Sequence, residues 1–157
     1  MHRRNLMHGL FTAVAGAFAV APATARPAGA PTAPATPAQD DRAKVAYHLC
    51  DLDKVNMALA NIRNHYQGMG GPDMVAITLV VIGPAVKAFH AAHARPDVSH
   101  QLAELRQLGL TLNACANTMR SQNITVKDLL PGFASADRGG VVALAELQRQ
   151  GFAYLRP

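Results

Sequence analysis

A chain of 157 residues is enough for one domain rather than two, and half of its residues are hydrophobic, so a substantial core can be buried. The formal charge is +5, but Arg3 and Arg4 fall in an acid-free opening stretch, and the remainder holds thirteen basic against ten acidic residues with no basic run. Together with the absence of Trp and only 5% aromatic residues, this argues against a nucleic-acid surface, and two cysteines, Cys50 and Cys115, are too few for a disulfide scaffold.

Residues 1–25 read as an export signal rather than as part of the fold. Arg3-Arg4 is followed by Asn5 and Leu6, then by an apolar run from Gly9 to Ala21. That run is shorter than the roughly 20 residues a membrane span needs, so no stable span is expected. Ala23-Thr24-Ala25 supplies the small-x-small pattern of a signal-peptidase site, which would leave Arg26 as the first mature residue. The arginine pair resembles the signal of the bacterial Tat route, with an ordinary Sec signal as the alternative; either makes the protein periplasmic. Residues 26–42 follow as a tether. Prolines at 27, 31, 34 and 37 forbid a helix there and favour an extended, polyproline-like spacer.

The domain is expected to occupy residues 43–157. Ala43 to Cys50 alternates as a strand, with Val45, Tyr47 and Leu49 on one face and Lys44, Ala46, His48 and Cys50 on the other. Asp51 and Asp53 suit a helix start, and Val55, Leu59 and Ile62 carry that helix to about Tyr66. Gln67 to Pro72 reads as a glycine-rich connection without the features of a phosphate loop. Met74 to Ile82 is continuously apolar and β-branched, the signature of a strand buried on both faces of a parallel sheet. Pro84 is placed to open a helix to about Ala94, and Arg95-Pro96 to stop it. Ser99 is then the expected cap of a helix whose buried face is Leu102, Leu105 and Leu108.

Leu110, Leu112 and Ala114 alternate with Thr111, Asn113 and Cys115 as a further strand, and Asn117 and Thr118 are good caps for a helical turn after it. A thiol is thereby expected where a strand hands over to a helix, the edge at which open parallel sheets bind ligands. A helix N-terminus there favours thiolate over thiol, and no acid lies within five residues of Cys115. Short helical turns over Ser121–Pro131, a brief strand over Gly132–Ala136, a helix over Val141–Gln150 and a last strand over Phe152–Leu155 complete the pattern. Strands alternating with helices predict an α/β fold, a parallel sheet covered on both sides.

The stretches VAYHLCD, NIRNHY, IGPAVKAFH, LNACANTM, DLLPGF and GGVVALAELQRQGFAYLRP together resemble the DsrE/DsrF-like family, in an exported subgroup, over about Ala43 to Pro157. The resemblance implies a three-layer α/β/α fold, a mainly parallel five-stranded sheet of strand order 4-3-2-1-5, and homo-oligomers, commonly trimers or hexamers. Some members pass sulfur along as a cysteine persulfide on a cysteine just after the third strand, the place that Cys115 holds here. Those members work in the cytoplasm with partner subunits.

Cys115 is therefore the leading candidate for thiol or persulfide chemistry, exchanging sulfur with a donor or acceptor protein. Cys50 is secondary, because Asp51 beside it disfavours a thiolate. A soft metal site built from His48, Cys50, His90, His93 and Cys115 is the weaker thought, since no ligand-spacing motif is present; no metal and no resident cofactor is expected. Two classes stand: a periplasmic thiol protein handling sulfur or redox equivalents, and a non-catalytic oligomeric binding protein whose cysteines belong to the core.

Overall fold

The computed structural model describes residues 41–157. The expected signal peptide, and all but the last two residues of the expected tether, lie outside the described residues. Five strands form one all-parallel sheet: β1 (Ala43–Leu49), β2 (Val75–Val81), β3 (Thr111–Cys115), β4 (Phe133–Ala136) and β5 (Ala153–Leu155). Their order is β4-β3-β2-β1-β5, as the resemblance implied. Four helices connect them: α1 (Val55–Met69), α2 (Pro96–Gln107), α3 (Ala116–Ser121) and α4 (Gly140–Arg149).

β2 is central for the reason its composition suggests. Six of its seven residues are buried, which requires cover on both faces. On one face Val45, Tyr47 and Leu49 of β1, Ile77 and Leu79 of β2, and Leu112 of β3 form the main core with Leu59 and Ile62 of α1 and Leu102 and Leu105 of α2. The other face has a smaller cluster, in which Leu144 of α4 covers Ala46 and Val80, with Ile82, Leu147 and Phe152 around it. β5 remains exposed along its length.

Several boundaries differ from the sequence reading, some through tertiary contacts and some through local capping. Pro84 opens only a 3-10 turn, Gly83–Phe89, and not a helix to Ala94. Backbone groups that a helix would have used are taken elsewhere: Ala91 N–H donates to Asp128 O at 2.7 Å, and Phe89 O accepts Leu130 N–H at 2.8 Å. Arg95-Pro96 starts the next helix instead of stopping the previous one, with Arg95 at the N-cap and Pro96 inside the first turn. Ser99, the expected cap, lies within that helix, and its hydroxyl donates to Arg95 O at 3.2 Å. α1 runs on through Gln67–Met69 and ends at Gly70, whose φ of 89° permits the left-handed cap. Asp51 makes no side-chain cap bond; its carboxylate pairs with Arg156 at 3.2 Å.

Cys50 lies just beyond the end of β1 rather than in it. Both cysteines are free. The strand order explains this: β1 and β3 flank β2, so their ends are separated by about 9–10 Å, beyond the roughly 7 Å between Cα atoms that a disulfide spans.

Candidate functional site

Cys115 is the last residue of β3 and the N-cap of α3, so the strand passes into the helix with no intervening loop. Asn117 and Thr118 were the expected caps; they lie instead inside the first turn, where their N–H groups surround the cysteine that precedes them. As a neutral thiol Cys115 makes no side-chain cap hydrogen bond to α3. The donors around it matter for the charged form.

Burial pushes the Cys115 thiol up, but the backbone N–H of Gly140, the backbone N–H and hydroxyl of Thr118, and the backbone N–H of Asn117 together outweigh it and hold the thiol below its ordinary pKa. Gly140 matters because of what it lacks. A Cβ there would stand 2.6 Å from two side-chain carbons of Ile82 and 3.2 Å from the Cys115 Cβ. Glycine thus lets the first turn of α4 close onto the end of β3 and bring its N–H to the sulfur. Thr118 is one of two buried polar residues among those described. Its Oγ1 accepts Gly83 N–H at 3.0 Å, which leaves the hydroxyl proton free to point at Cys115. In the sequence the Gly139-Gly140 pair merely precedes the helix expected over Val141–Gln150, and Thr118 reads only as a cap. Both lie near the sulfur because separate elements meet there.

Cys50 is half-buried. It follows Leu49, which pairs with Val81 at the end of β2. A Cβ at Gly83, where φ is +60°, would lie 3.0 Å from the Cys50 Sγ. Both cysteines are therefore packed against the Ile82–Gly83 end of β2, from opposite sides. His48 is held by Tyr154, with Nδ1 and the phenolic oxygen 2.8 Å apart. Burial and the Arg156 guanidinium keep its imidazole below the usual pKa against the opposing pull of Asp51, so the ring is neutral near pH 7. His90 and His93 meet each other, with ring centroids 4.8 Å apart. The imidazoles and thiols considered for a metal site are thus dispersed, and among the described residues no group of three or more His, Cys, Asp or Glu is arranged to hold an ion.

A buried cysteine, 5% exposed as a residue, with N–H and O–H donors around its sulfur, is suited to act as a thiolate nucleophile toward a reagent slim enough to reach it. Among the described residues no helix is long and apolar enough to cross a membrane.

Comparison with known proteins agrees with this architecture. A protein of unknown function from Methanobacterium thermoautotrophicum is 27% identical and superposes with a TM-score of 0.65, over 73% of this chain and 99% of that one. The ychN protein of E. coli, 14% identical, gives 0.55 over 73% and 99%. A conserved protein of unknown function from Bacteroides thetaiotaomicron, 18% identical, gives 0.53 over 73% and 94%. The last two likenesses speak to the fold alone. No curated protein matches the chain. The family model for the DsrE/DsrF-like proteins matches residues 36–157, and with the β4-β3-β2-β1-β5 sheet already established the chain belongs to the DsrE/DsrF-like family.

Proposed function

We propose that this DsrE/DsrF-like protein is an exported thiol protein that accepts and passes on a sulfane sulfur through Cys115. The observation that carries the reading is the convergence of the Gly140, Asn117 and Thr118 donors on one sulfur at the carboxyl edge of the sheet. The Cys115 thiolate attacks the outer sulfur of a donor persulfide or polysulfide. A new S–S bond forms at Cys115, the donor's S–S bond breaks, and its electron pair leaves with the donor as thiolate or sulfide. No net oxidant is required. Attack on the outer sulfur by an acceptor thiolate then restores Cys115. Cys50, against the same end of β2, is the secondary candidate thiol.

The second reading, a binding protein with core cysteines, is favoured by one observation, the 5% exposure of Cys115. Treatment with inorganic polysulfide followed by peptide mass spectrometry separates the two. The Cys50→Ser protein is expected to gain one sulfur on the Cys115 peptide, and to alkylate in the native state with a pH inflection below the ordinary thiol value of about 8.5. A Cys115 that gains no sulfur and alkylates only after denaturation would transfer the conclusion to the binding protein.

The proposal extends to assembly and address. Val141 at 72% exposure, with Val142, Tyr154 and Leu155, leaves apolar side chains in the open around α4 and β5. Covering them in a homo-oligomer, a trimer or hexamer, fits this chemistry. Light scattering is expected to return a multiple of the chain mass at micromolar concentration; a monomer there counts against it. The twin-arginine opening and Ala23-Thr24-Ala25 support periplasmic localisation. Sequencing of exported protein is expected to begin at Arg26, and recovery of Met1 would sink that assignment.

A further inference from the structure

The turn after β2 is held at its two ends by the end of β1. Ile82 N–H donates to Leu49 O at 2.9 Å, and Ala85 N–H to Cys50 O at 3.1 Å. Between them Pro84 has no N–H to give. Gly83 bonds instead to α3, once from each of its peptide groups. Its N–H donates to Thr118 Oγ1 at 3.0 Å, and its carbonyl accepts Gln122 Nε2 at 3.0 Å. Thr118 lies in α3 and Gln122 is the C-cap of that helix. At a spacing of i and i+4 they share one side of it, one turn apart. Together they clamp Gly83, a residue at φ +60° with no side chain of its own to hold it in place.

The Gln122 amide is not what packing alone would choose there. The bond to Gly83 O fixes its orientation, because the opposite one would set two oxygens face to face. Oε1 is then buried, and no described residue hydrogen-bonds to it. A buried acceptor in that state destabilises the fold. Methionine has a side chain of similar length and would bring no such oxygen. Departures of this kind are expected beside functional groups. The group beside this one is Thr118. Its Oγ1 takes the Gly83 N–H, and its hydroxyl proton goes to the Cys115 sulfur.

We propose that Gln122 is a positioning residue for Cys115, which clamps the Gly83 turn against α3 and so keeps the Thr118 hydroxyl aimed at the sulfur. Gln122 is not one of the donors to that sulfur; it acts through two hydrogen bonds in series. The inference rests on the reading of Cys115 as the working thiol. With the clamp loosened, the ionised sulfur loses part of a donor, and less thiolate is present at neutral pH.

The test follows the ultraviolet absorbance of the Cys115 thiolate against pH in the Cys50→Ser protein, with the Cys50→Ser, Cys115→Ser protein subtracted. This readout needs neither a sulfur donor nor a reagent that reaches the sulfur, so its result is separate from that of the polysulfide treatment. Gln122→Met is expected to move the midpoint upward, with about threefold less thiolate below it, the weakening of one hydrogen bond to a charged group. Gln122 is half-buried beyond the end of α3, and Gln122→Ala is expected to act in the same direction. Thr118→Val removes the bond outright and is expected to lower the thiolate about tenfold. Thr118→Ser keeps the hydroxyl and is expected to titrate near the parent. In the Thr118→Val background, Gln122→Met is expected to have no further effect, since its route to the sulfur is gone. An unmoved midpoint in both Gln122 variants, with or without a loss of stability in urea, would overturn the proposal. So would a shift as large in the Thr118→Val background as in the parent.

Discussion

Phe89→Ala is expected to remove about 3–5 kcal/mol of stability, from loss of burial plus the cavity left behind. Phe89 has no exposed surface and ends the 3-10 turn after β2. Its ring is 5.2 Å from that of Phe133 at the start of β4, and its carbonyl accepts the Leu130 N–H at 2.8 Å. One side chain thus ties the β2 connection to the segment that delivers β4, the sheet's edge strand. A domain of this size has roughly 5–15 kcal/mol in total, so the variant would lose a large share of its stability. Phe89→Leu keeps most of the volume and is expected to cost clearly less. Urea unfolding at constant slope measures both. A loss under about 1 kcal/mol for Phe89→Ala would mean that the turn can collapse into the space, and that it does not pin β4.

Gly140→Ala is expected to cost about 1–3 kcal/mol, with a functional consequence that Phe89→Ala lacks. The backbone at Gly140 is helical, so alanine meets no conformational strain there, and its intrinsic helix preference runs the other way. The cost arises from contact. The new methyl would stand 2.6 Å from two side-chain carbons of Ile82 and 3.2 Å from the Cys115 Cβ, so the Ile82 side chain must turn away and α4 must draw back from the end of β3 by a few tenths of an ångström. That shift lengthens the contact of the Gly140 N–H with the sulfur, and the Cys115 thiol then rises toward its ordinary value. The sign is that of an acid whose ionised form loses a donor: less thiolate at neutral pH and slower alkylation below the inflection. The rate of alkylation against pH in the Cys50→Ser background reads this directly. A variant that is no less stable, with an unmoved inflection, would show that α4 does not control the thiol.

Much of the architecture could be read from residue pattern. The apolar, β-branched run from Met74 to Ile82 read as a strand covered on both sides, and its strand, Val75–Val81, proved central. The alternation in β1 placed Val45, Tyr47 and Leu49 in the main core and Ala46 on the opposite face, as found. Cys115 at a strand end was legible because Leu112 and Ala114 alternate with polar neighbours up to it. The misreadings share a cause. Pro84 and Pro96 are each compatible with starting a helix, and periodicity alone does not say which start is continued. The antiparallel bridge of His90 to Leu129, some 40 residues away in sequence, stopped the first, and the second ran on unopposed.

What the sequence determined by itself is the kind of sheet and the place of the thiol on it, because side-chain burial has a period that residue types reveal directly. What only the tertiary structure decided is the surroundings of that thiol. The Gly140 N–H, the Thr118 hydroxyl held by Gly83, and the closeness of the Cys50 sulfur to Gly83 come from four connections that return to the same sheet edge. Hydrogen-bond donors act over about 3 Å, and no local pattern in a chain records which distant residue will come that close.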